Sequence, residues 1–152
     1  MRKRQRRSDC PVHFALEHIG DPWSMLVIRD LVMFGRRTYG EFLNAGEGIA
    51  TNVLADRLKR LEEDGLLVRE ADPERSSRPR YRPTQKALDL LPVLLEMAAW
   101  SGTWDEQTVV PRELVERIRH DRASVEREIL ACYERDEPWM PGVPAREEDD
   151  GR

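Results

Sequence analysis

The segment of residues 49–65, IATNVLADRLKRLEEDG, constrains the fold of this chain more than any other. Leu54, Leu58 and Leu61 recur at positions i, i+4 and i+7, so at about 100° per residue they share one narrow stripe of a helix. Gly65 follows this pattern, and glycine is the usual residue just beyond a helix C-terminus. The segment therefore predicts an amphipathic helix that ends before Gly65.

A second, shorter helix is predicted immediately before this one. It opens with a Thr-x-x-Glu capping box, in which Thr38 accepts a hydrogen bond from the Glu41 N–H while the Glu41 carboxylate reaches back. A glycine-containing turn joins the two helices. Residues 66–71 and 80–83 then predict two short strands, separated by turn-forming residues. Helix, turn, polar-faced helix and basic hairpin together are typical of a winged helix-turn-helix, which reads DNA.

Positive charge is concentrated in the first two thirds of the chain. Residues 1–104 hold 17 Lys or Arg and 15 Asp or Glu, a net charge of +2, whereas residues 105–152 hold 8 and 14, a net charge of −6. The cations cluster in the N-terminal arm, at Arg36 and Arg37, and at Arg75, Arg78, Arg80 and Arg82. DNA binding depends on where cations cluster, so the overall charge of −4 does not exclude it.

Other protein classes are disfavoured by what the sequence lacks. No run of 18 apolar residues predicts a transmembrane helix, and no apolar signal-peptide core follows the basic N-terminus, so we expect a cytoplasmic protein. The two cysteines are too far apart to suggest a disulfide framework. No phosphate-binding glycine loop or nucleophile–histidine motif indicates an enzyme. Cys10, His13 and His18 lack a second ligand pair, so we predict neither a metal site nor a cofactor.

The pattern divides the chain into four regions. We expect a disordered basic arm over residues 1–9, a winged helix-turn-helix domain over 10–104, a C-terminal helical extension over 105–135 and a disordered acidic tail over 136–152. The fold class is therefore mainly α with a small two- to three-stranded β-wing, flanked by dimerisation helices. Asp21 is expected to cap a largely apolar central helix.

Two further helices are predicted after the wing. One runs from Thr84 to Trp100, with a kink at Pro92 inside it. The other begins after Pro111 and carries a thin apolar stripe on a highly charged helix. A mostly polar helix gains little by folding alone, so we expect this stripe to pack on a partner subunit.

The chain resembles the HxlR-type winged-helix transcriptional regulators over about residues 10–104. The matching residues are Cys10-Pro11-Val12, Ala15-Leu16, Ile19-Gly20, Trp23, Leu54, Arg57-Leu58, residues 61–66, Tyr81, Thr84, residues 92–94 and Trp100. The resemblance implies a homodimer built from the first and last family helices, with one helix of each subunit in the major groove. At Ala50, where relatives often have a serine N-cap, the sequence departs from the pattern, so we expect Thr51 to cap the helix. Pro83 is expected to shorten the second wing strand.

The predicted partner is double-stranded DNA. Thr51, Asn52 and Asp56 face outward near the start of the reading helix, where side chains reach base edges. The other predicted contact residues are Thr38, Arg57, Lys59, Arg75, Arg78 and Arg80, with the basic residues gripping phosphates or the minor groove. The alternative for each is an exposed polar residue on a solvated face.

Cys10 corresponds in this resemblance to an N-terminal cysteine that some relatives use to sense oxidants. The cations before it and its place at a helix start favour the thiolate, although Asp9 opposes this. The alternative is a small residue at a dimer edge. We expect Trp100 and Trp104 to be core or dimer contacts. The alternative is that they line a pocket for a small-molecule effector between the core and the dimer helices.

The sequence thus predicts a homodimeric, sequence-specific regulator of a pseudo-palindromic operator. We expect a repressor, released by a small molecule or by thiol oxidation at Cys10, although the sequence does not itself distinguish repression from activation. The alternative function is a winged-helix protein-interaction module that does not bind DNA. Such modules often lose wing cations, and this chain keeps them.

Overall fold

The computed structural model describes residues 6–139, which form seven α-helices and a two-stranded sheet. In chain order the elements are α1 (Pro11–Ile19), α2 (Pro22–Val32), α3 (Tyr39–Leu43), α4 (Thr51–Glu63), β1 (Leu67–Ala71), β2 (Pro79–Pro83), α5 (Gln85–Leu88), α6 (Leu91–Trp104) and α7 (Arg112–Glu134). This confirms the predicted fold class, with two strands in the wing.

Helix α2 lies at the centre of the core, as its nearly continuous apolar sequence predicted. Asp21 is its N-cap and accepts a hydrogen bond from the Ser24 N–H at 3.0 Å. Ile28 and Leu31 are completely buried, and α2 contacts α1, α4, α5, α6, α7 and β2. The remaining elements are thus positioned by their packing on α2.

Helices α3 and α4 form the predicted helix-turn-helix. The capping box of α3 is present, and Phe42 is 2% exposed against the core. The N-cap of α4 is Ala50, with no side-chain cap, and Thr51 is the first helical residue. The expectation that Thr51 caps this helix is therefore wrong. Alanine can occupy an N-cap because the backbone there is extended, but it leaves the first N–H groups without a side-chain acceptor.

Helix α4 ends in a Schellman motif. Gly65 adopts a φ of +70°, the left-handed conformation that glycine reaches without strain. The Leu66 N–H donates to the Leu61 carbonyl at 2.8 Å, and the Gly65 N–H donates to the Glu62 carbonyl at 3.0 Å. Leu61 and Leu66 are both buried, so the motif turns the chain directly into the wing.

The wing is an antiparallel hairpin in which Leu67 pairs with Pro83 and Ala71 pairs with Pro79. Pro83 is its last paired residue, so it does not shorten the strand below the predicted 80–83. Side chains of a strand alternate between its two faces, so Tyr81, between Arg80 and Arg82, is expected to face the core. It is buried and in edge contact with the Phe42 ring, while Arg82 is exposed.

The helix predicted from Thr84 to Trp100 is two helices. Helix α5 ends at Leu88, and α6 begins at Leu91 with Pro92 in its first turn. A kink at Pro92 was therefore the wrong prediction. Proline is tolerated in a first helical turn because the N–H groups there have no intrahelical acceptor, so the chain starts a new helix instead of bending one.

Helix α7 packs along α6 of its own chain and also contacts α2. Val115, Ile118, Val125 and Ile129 are buried in this packing. The expectation that this stripe needs a partner subunit is therefore wrong, because the apolar surface of α6 already covers it. Periodicity identified the stripe but not the surface on which it lies.

The chain stays ordered beyond α7. Trp139 is 7% exposed, and its N–H donates to the Met33 carbonyl at 2.7 Å. The prediction of disorder from residue 136 is thus wrong for residues 136–139, which pack on the end of α2. In the predicted N-terminal arm, residues 6–9 are described and form no helix or strand. Residues 1–5 and 140–152 of the two predicted disordered ends lie outside the described part.

Helices α1 and α6 leave large apolar side chains uncovered, and no residue of α1 is buried. Phe14 and Leu16 on α1, and Trp100 and Trp104 on α6, are 50–74% exposed. Among residues 6–139, every helix is too short or too polar to cross a lipid bilayer.

Candidate nucleic-acid interface

The outer face of α4 presents a polar surface on a fixed helix. Leu54, Leu58 and Leu61 anchor the inner face and are at most 2% exposed. Four of the predicted contact residues are exposed on the outer face, namely Thr51, Asn52, Asp56 and Lys59. The Tyr39 hydroxyl donates to the Thr51 carbonyl at 2.8 Å and links the two helices of the motif. The start of α4 is therefore both accessible and held in place.

The Arg57 side chain is not free on the outer face of α4, because two carboxylates hold it. Its Nε donates to Asp21 Oδ1 at 2.8 Å, and its Nη1 donates to Asp56 Oδ2 at 2.7 Å. Burial raises the pKa of Asp21. Hydrogen bonds from Ser24 and the charge of Arg57 lower it by more, so the pKa is below its ordinary value. Arg57 thus joins α4 to the N-cap of α2, and a phosphate contact would require it to leave this pair.

Arg60 is a contact that the sequence did not reveal. Its Nη2 donates to the Glu17 carbonyl of α1 at 2.8 Å. Arg57 and Arg60 are three residues apart on one side of α4, so together they attach the reading helix to the α1–α2 junction. The i,i+3 spacing of the two arginines was the one sign of this attachment in the sequence. Their partners, Asp21 and Glu17, are 36 and 43 positions away.

Thr38 is engaged in capping. Its Oγ1 accepts the Glu41 N–H at 3.3 Å, while Glu41 Oε2 accepts the N–H groups of Thr38 at 2.8 Å and Arg37 at 2.6 Å. Burial raises the pKa of Glu41, but the two backbone N–H groups outweigh it and hold the pKa below its ordinary value. Thr38 therefore fixes the start of α3.

The wing arginines occupy different places. Arg75 and Arg78 are exposed at the tip, where the Arg78 N–H donates to the Arg75 carbonyl at 2.9 Å. Within residues 6–139, neither side chain forms an ion pair. Arg80 is half-buried at the base, near enough to Glu41 to lower its pKa. The tip therefore offers two cations to an incoming polyanion.

Arg36 is not a free cation, although the sequence grouped it with the surface clusters. It donates to Asp30 Oδ1 at 2.7 Å, and Arg29 donates to the same oxygen at 2.8 Å. Burial raises the pKa of Asp30, and the two arginines only partly offset this. Arg29 also donates to Glu47 Oε1 at 3.0 Å, so the network fastens the α3–α4 turn to α2.

Cys10 is exposed at the N-cap of α1. Nearby, His13 Nε2 lies 3.2 Å from Glu17 and His18 Nδ1 lies 2.8 Å from the Phe14 carbonyl. In the described range, no three metal-ligating side chains gather into a site. A recess between α2 and the α3–α4 turn, lined in part by Trp23, has a cavity volume of about 10 Å³, which is room for about one water molecule. That recess is too small for an organic effector.

The family model described as HxlR-like helix-turn-helix matches residues 18–109, more than half of the chain. The chain belongs to the HxlR-like helix-turn-helix family. The match runs from the end of α1 through α6, so most of α1, as well as α7 and the segment after it, lies outside the matched residues.

Individual proteins agree with this assignment. The uncharacterized HTH-type transcriptional regulator sll1512 of Synechocystis sp. is 36% identical over 98 residues, covering 64% of this chain and 72% of that protein. The structure of PA1607, named as a candidate transcription factor, has a TM-score of 0.61 at 38% identity and covers 68% of this chain and 73% of its own. The oxidized form of the redox regulator HypR has a TM-score of 0.55 at 27% identity, covering 62% and 96%. This HxlR-like chain is thus a helix-turn-helix transcriptional regulator.

Proposed function

We propose that the protein is a homodimeric, sequence-specific DNA-binding regulator that represses transcription by occupying a pseudo-palindromic operator. The observation that carries this proposal is the exposed polar start of α4 on a helix locked by three buried leucines. A major groove admits one such helix, whose first turns reach base edges. Such a regulator acts in the cytoplasm, where a bacterial or archaeal chromosome lies.

Each exposed side chain has a matching chemistry on DNA. Asn52 is suited to a bidentate contact with an adenine edge, and Asp56 to accepting from a cytosine amino group. Thr51 stands beside them in the first turn. Lys59 is one turn farther and suits a phosphate. The wing residues Arg75, Arg78 and Arg80 supply the remaining positive charge, and Arg57 can join only by leaving Asp21.

The uncovered apolar side chains support the homodimer. Val93, Met97, Trp100 and Trp104 lie on one face of α6, while α1 exposes Val12 and Leu16 on one side and Phe14 on another. Soluble monomers rarely expose large contiguous apolar patches. A two-fold dimer through these helices would present two α4 helices, with half-site centres about 10 bp apart or a multiple of that.

A mobility-shift assay on the DNA upstream of the protein's own gene tests the proposal. Wild type should bind it specifically and less tightly as salt rises. Asn52→Ala should weaken specific binding by about 5- to 150-fold, which corresponds to 1–3 kcal/mol for a bidentate base contact, and leave non-specific binding unchanged. Glu63→Ala, at the far end of α4, is the matched control.

The assay also separates the alternative function. A winged-helix protein-interaction module would form a dimer but bind no DNA specifically, even against a random-sequence pool. The exposed cations at the wing tip favour DNA over that alternative, because a protein-binding wing has no need of them.

We further propose that oxidation of Cys10 releases the DNA. Its exposed position at the start of the uncovered α1, and the redox regulator HypR among the similar structures, support this. Diamide would join the Cys10 thiol to a second thiol as a disulfide and be reduced itself. It should release DNA from wild type and Cys132→Ser but not from Cys10→Ser. Equal release from all three would leave a small-molecule effector as the signal.

A further inference from the structure

The last turn of α7 and the segment after it, residues 132–139, fold back across the base of the DNA-reading head, by which we mean α3, α4 and the wing. The Asp136 N–H donates to the Tyr133 carbonyl at 3.0 Å and the Glu137 N–H donates to the Cys132 carbonyl at 2.9 Å, which turns the chain. Asp136 adopts a φ of +54°, a conformation that aspartate tolerates better than most residues. Trp139 then inserts beside Met33. We call residues 132–139 the strap.

The strap closes over a buried arginine. Arg37 is 3% exposed, with Asp136 Oδ1 3.5 Å from its Nη2 and the Tyr133 ring 5.2 Å from its guanidinium carbon. On the inner side, its Nη1 donates to the Leu31 carbonyl at 2.6 Å. Burial lowers the pKa of Arg37, while Asp136 and Tyr133 raise it. A buried charge of this kind is costly unless paired, so the strap is what makes this position acceptable.

The backbone of Arg37 is hydrogen-bonded both to the wing and to helix α3. Its carbonyl accepts the Tyr81 N–H of β2 at 2.7 Å, and its own N–H donates to the Glu41 carboxylate that caps α3. The strap therefore reaches both the wing and the helix-turn-helix through one residue, Arg37.

The other end of the strap is fixed to α7, which packs on α6. Since α6 carries the exposed tryptophans of the proposed dimer face, the strap bridges the dimer scaffold and the reading head of one subunit. The family match ends at residue 109, so this bridge belongs to the part of the chain outside it.

We propose that the strap is a positioning element that sets the angle of each reading head on the dimer scaffold, and thereby the half-site spacing that the protein accepts. Tyr133, Asp136 and Trp139 act through Arg37 and the wing, without touching DNA themselves. This inference rests on the proposed DNA-binding function.

The dependence of DNA affinity on half-site spacing tests this proposal, because a variant that is merely less stable would lose affinity for all spacings alike. Affinities are measured on an operator of natural spacing and on the same half-sites with one base pair added or removed. The variants are Asp136→Asn, Trp139→Ala and a chain ending at Ala131. The matched controls are Glu134→Ala and a chain ending at Trp139, which keeps the strap. Thermal melting confirms that each variant is folded.

The strap variants should bind the natural operator about tenfold more weakly, and their discrimination against the altered spacings should shrink by a similar factor. Binding to a single half-site and both controls should stay at wild-type values. Asp136→Asn replaces only the carboxylate that faces Arg37, so it keeps the test decisive should the shorter chain fail to fold. Folded strap variants that discriminate spacing as wild type does would overturn the proposal.

Hydrogen exchange supplies a readout that does not need DNA. The Tyr81 amide, bonded to the Arg37 carbonyl, should exchange faster in the strap variants than in the controls. Unchanged exchange at Tyr81 would contradict the strap's hold on the wing. Absence of specific DNA binding by wild type would instead contradict the proposed function, and the exchange result would still decide whether the strap holds the wing.

Discussion

At the scale of single residues, the Glu41 carboxylate has the clearest physical consequence. It accepts backbone N–H groups from Arg37 and Thr38, which stabilise its charged form. Its pKa in the folded protein is therefore below its ordinary value. A group whose folded pKa is depressed contributes stability above its unfolded pKa, and that stability disappears as pH falls through the folded pKa.

Glu41→Gln should consequently flatten the acid limb of the stability profile. The free energy of unfolding of wild type should fall from about pH 5 downward, and that of the variant should fall less, because the amide does not titrate. Urea denaturation at a series of pH values measures this. Glu63→Gln controls for the loss of one carboxylate, and a variant as acid-sensitive as wild type would refute the role given to Glu41.

Arg78 at the wing tip allows a second residue-level prediction. Arg78→Ala should weaken binding to all DNA sequences alike and reduce the slope of log affinity against log salt by about one, because one phosphate contact is lost. Arg112→Ala removes an equally exposed arginine at the start of α7 and should leave the slope intact. An unchanged slope for Arg78→Ala would remove the wing tip from the DNA interface.

The sequence predicted correctly which polar residues are exposed, but it did not reveal which arginines form ion pairs. Asn52 and Arg78 are exposed, as the helical and hairpin patterns implied. Arg37 and Arg57 look the same in sequence as solvated cations, yet one is buried and the other holds Asp21. Their partners are 99 and 36 positions away, so no local pattern signals them.

At the scale of elements, the sequence predicted those features of a helix or strand that depend on residues close together in the chain. The apolar stripe of α4, the capping box of α3 and the alternation around Tyr81 are all set within a few residues, and all are present. The division between α5 and α6 and the resting place of α7 depend on tertiary packing. Sequence periodicity carries no information on which surface covers a stripe.

The α6–α7 packing depends on the absence of a side chain at Gly102. A Cβ there would lie 2.4 Å from Val115 Cγ2, and a β-branched side chain has little freedom to move away. Gly102→Ala should therefore destabilise the protein by about 1–3 kcal/mol despite its better helix propensity.

Urea denaturation compares this variant with Gly40→Ala. A Cβ at Gly40 in α3 would meet nothing within 4 Å, so that substitution should be neutral or stabilise by up to about 1 kcal/mol. If Gly102→Ala behaved like Gly40→Ala, α7 would not pack on α6 as closely as the structure indicates.

At the scale of the whole molecule, the uncovered apolar side chains of α1 and α6 predict assembly. Trp104 is 74% exposed, and Trp104→Glu would place a charge at the centre of the proposed dimer contact. Sedimentation equilibrium should give twice the chain mass of 17.7 kDa for wild type and the single mass for the variant.

Arg127→Glu, on the exposed side of α7, should remain dimeric and serves as the charge-changing control. A monomeric wild type would contradict the dimer, and a dimeric Trp104→Glu would move the interface away from α6. Melting temperatures of both variants establish that the comparison is between folded proteins.

The exposed tryptophans also imply how operator occupancy would depend on the concentration of the protein in the cell. If subunits that meet through Trp100 and Trp104 separate at low abundance, operator occupancy rises with the square of the subunit concentration. A twofold change in synthesis rate would then give nearly a fourfold change in occupancy before saturation. The apolar face would thus act as an abundance threshold, making the response to gene dosage steeper than the affinity of one reading head allows.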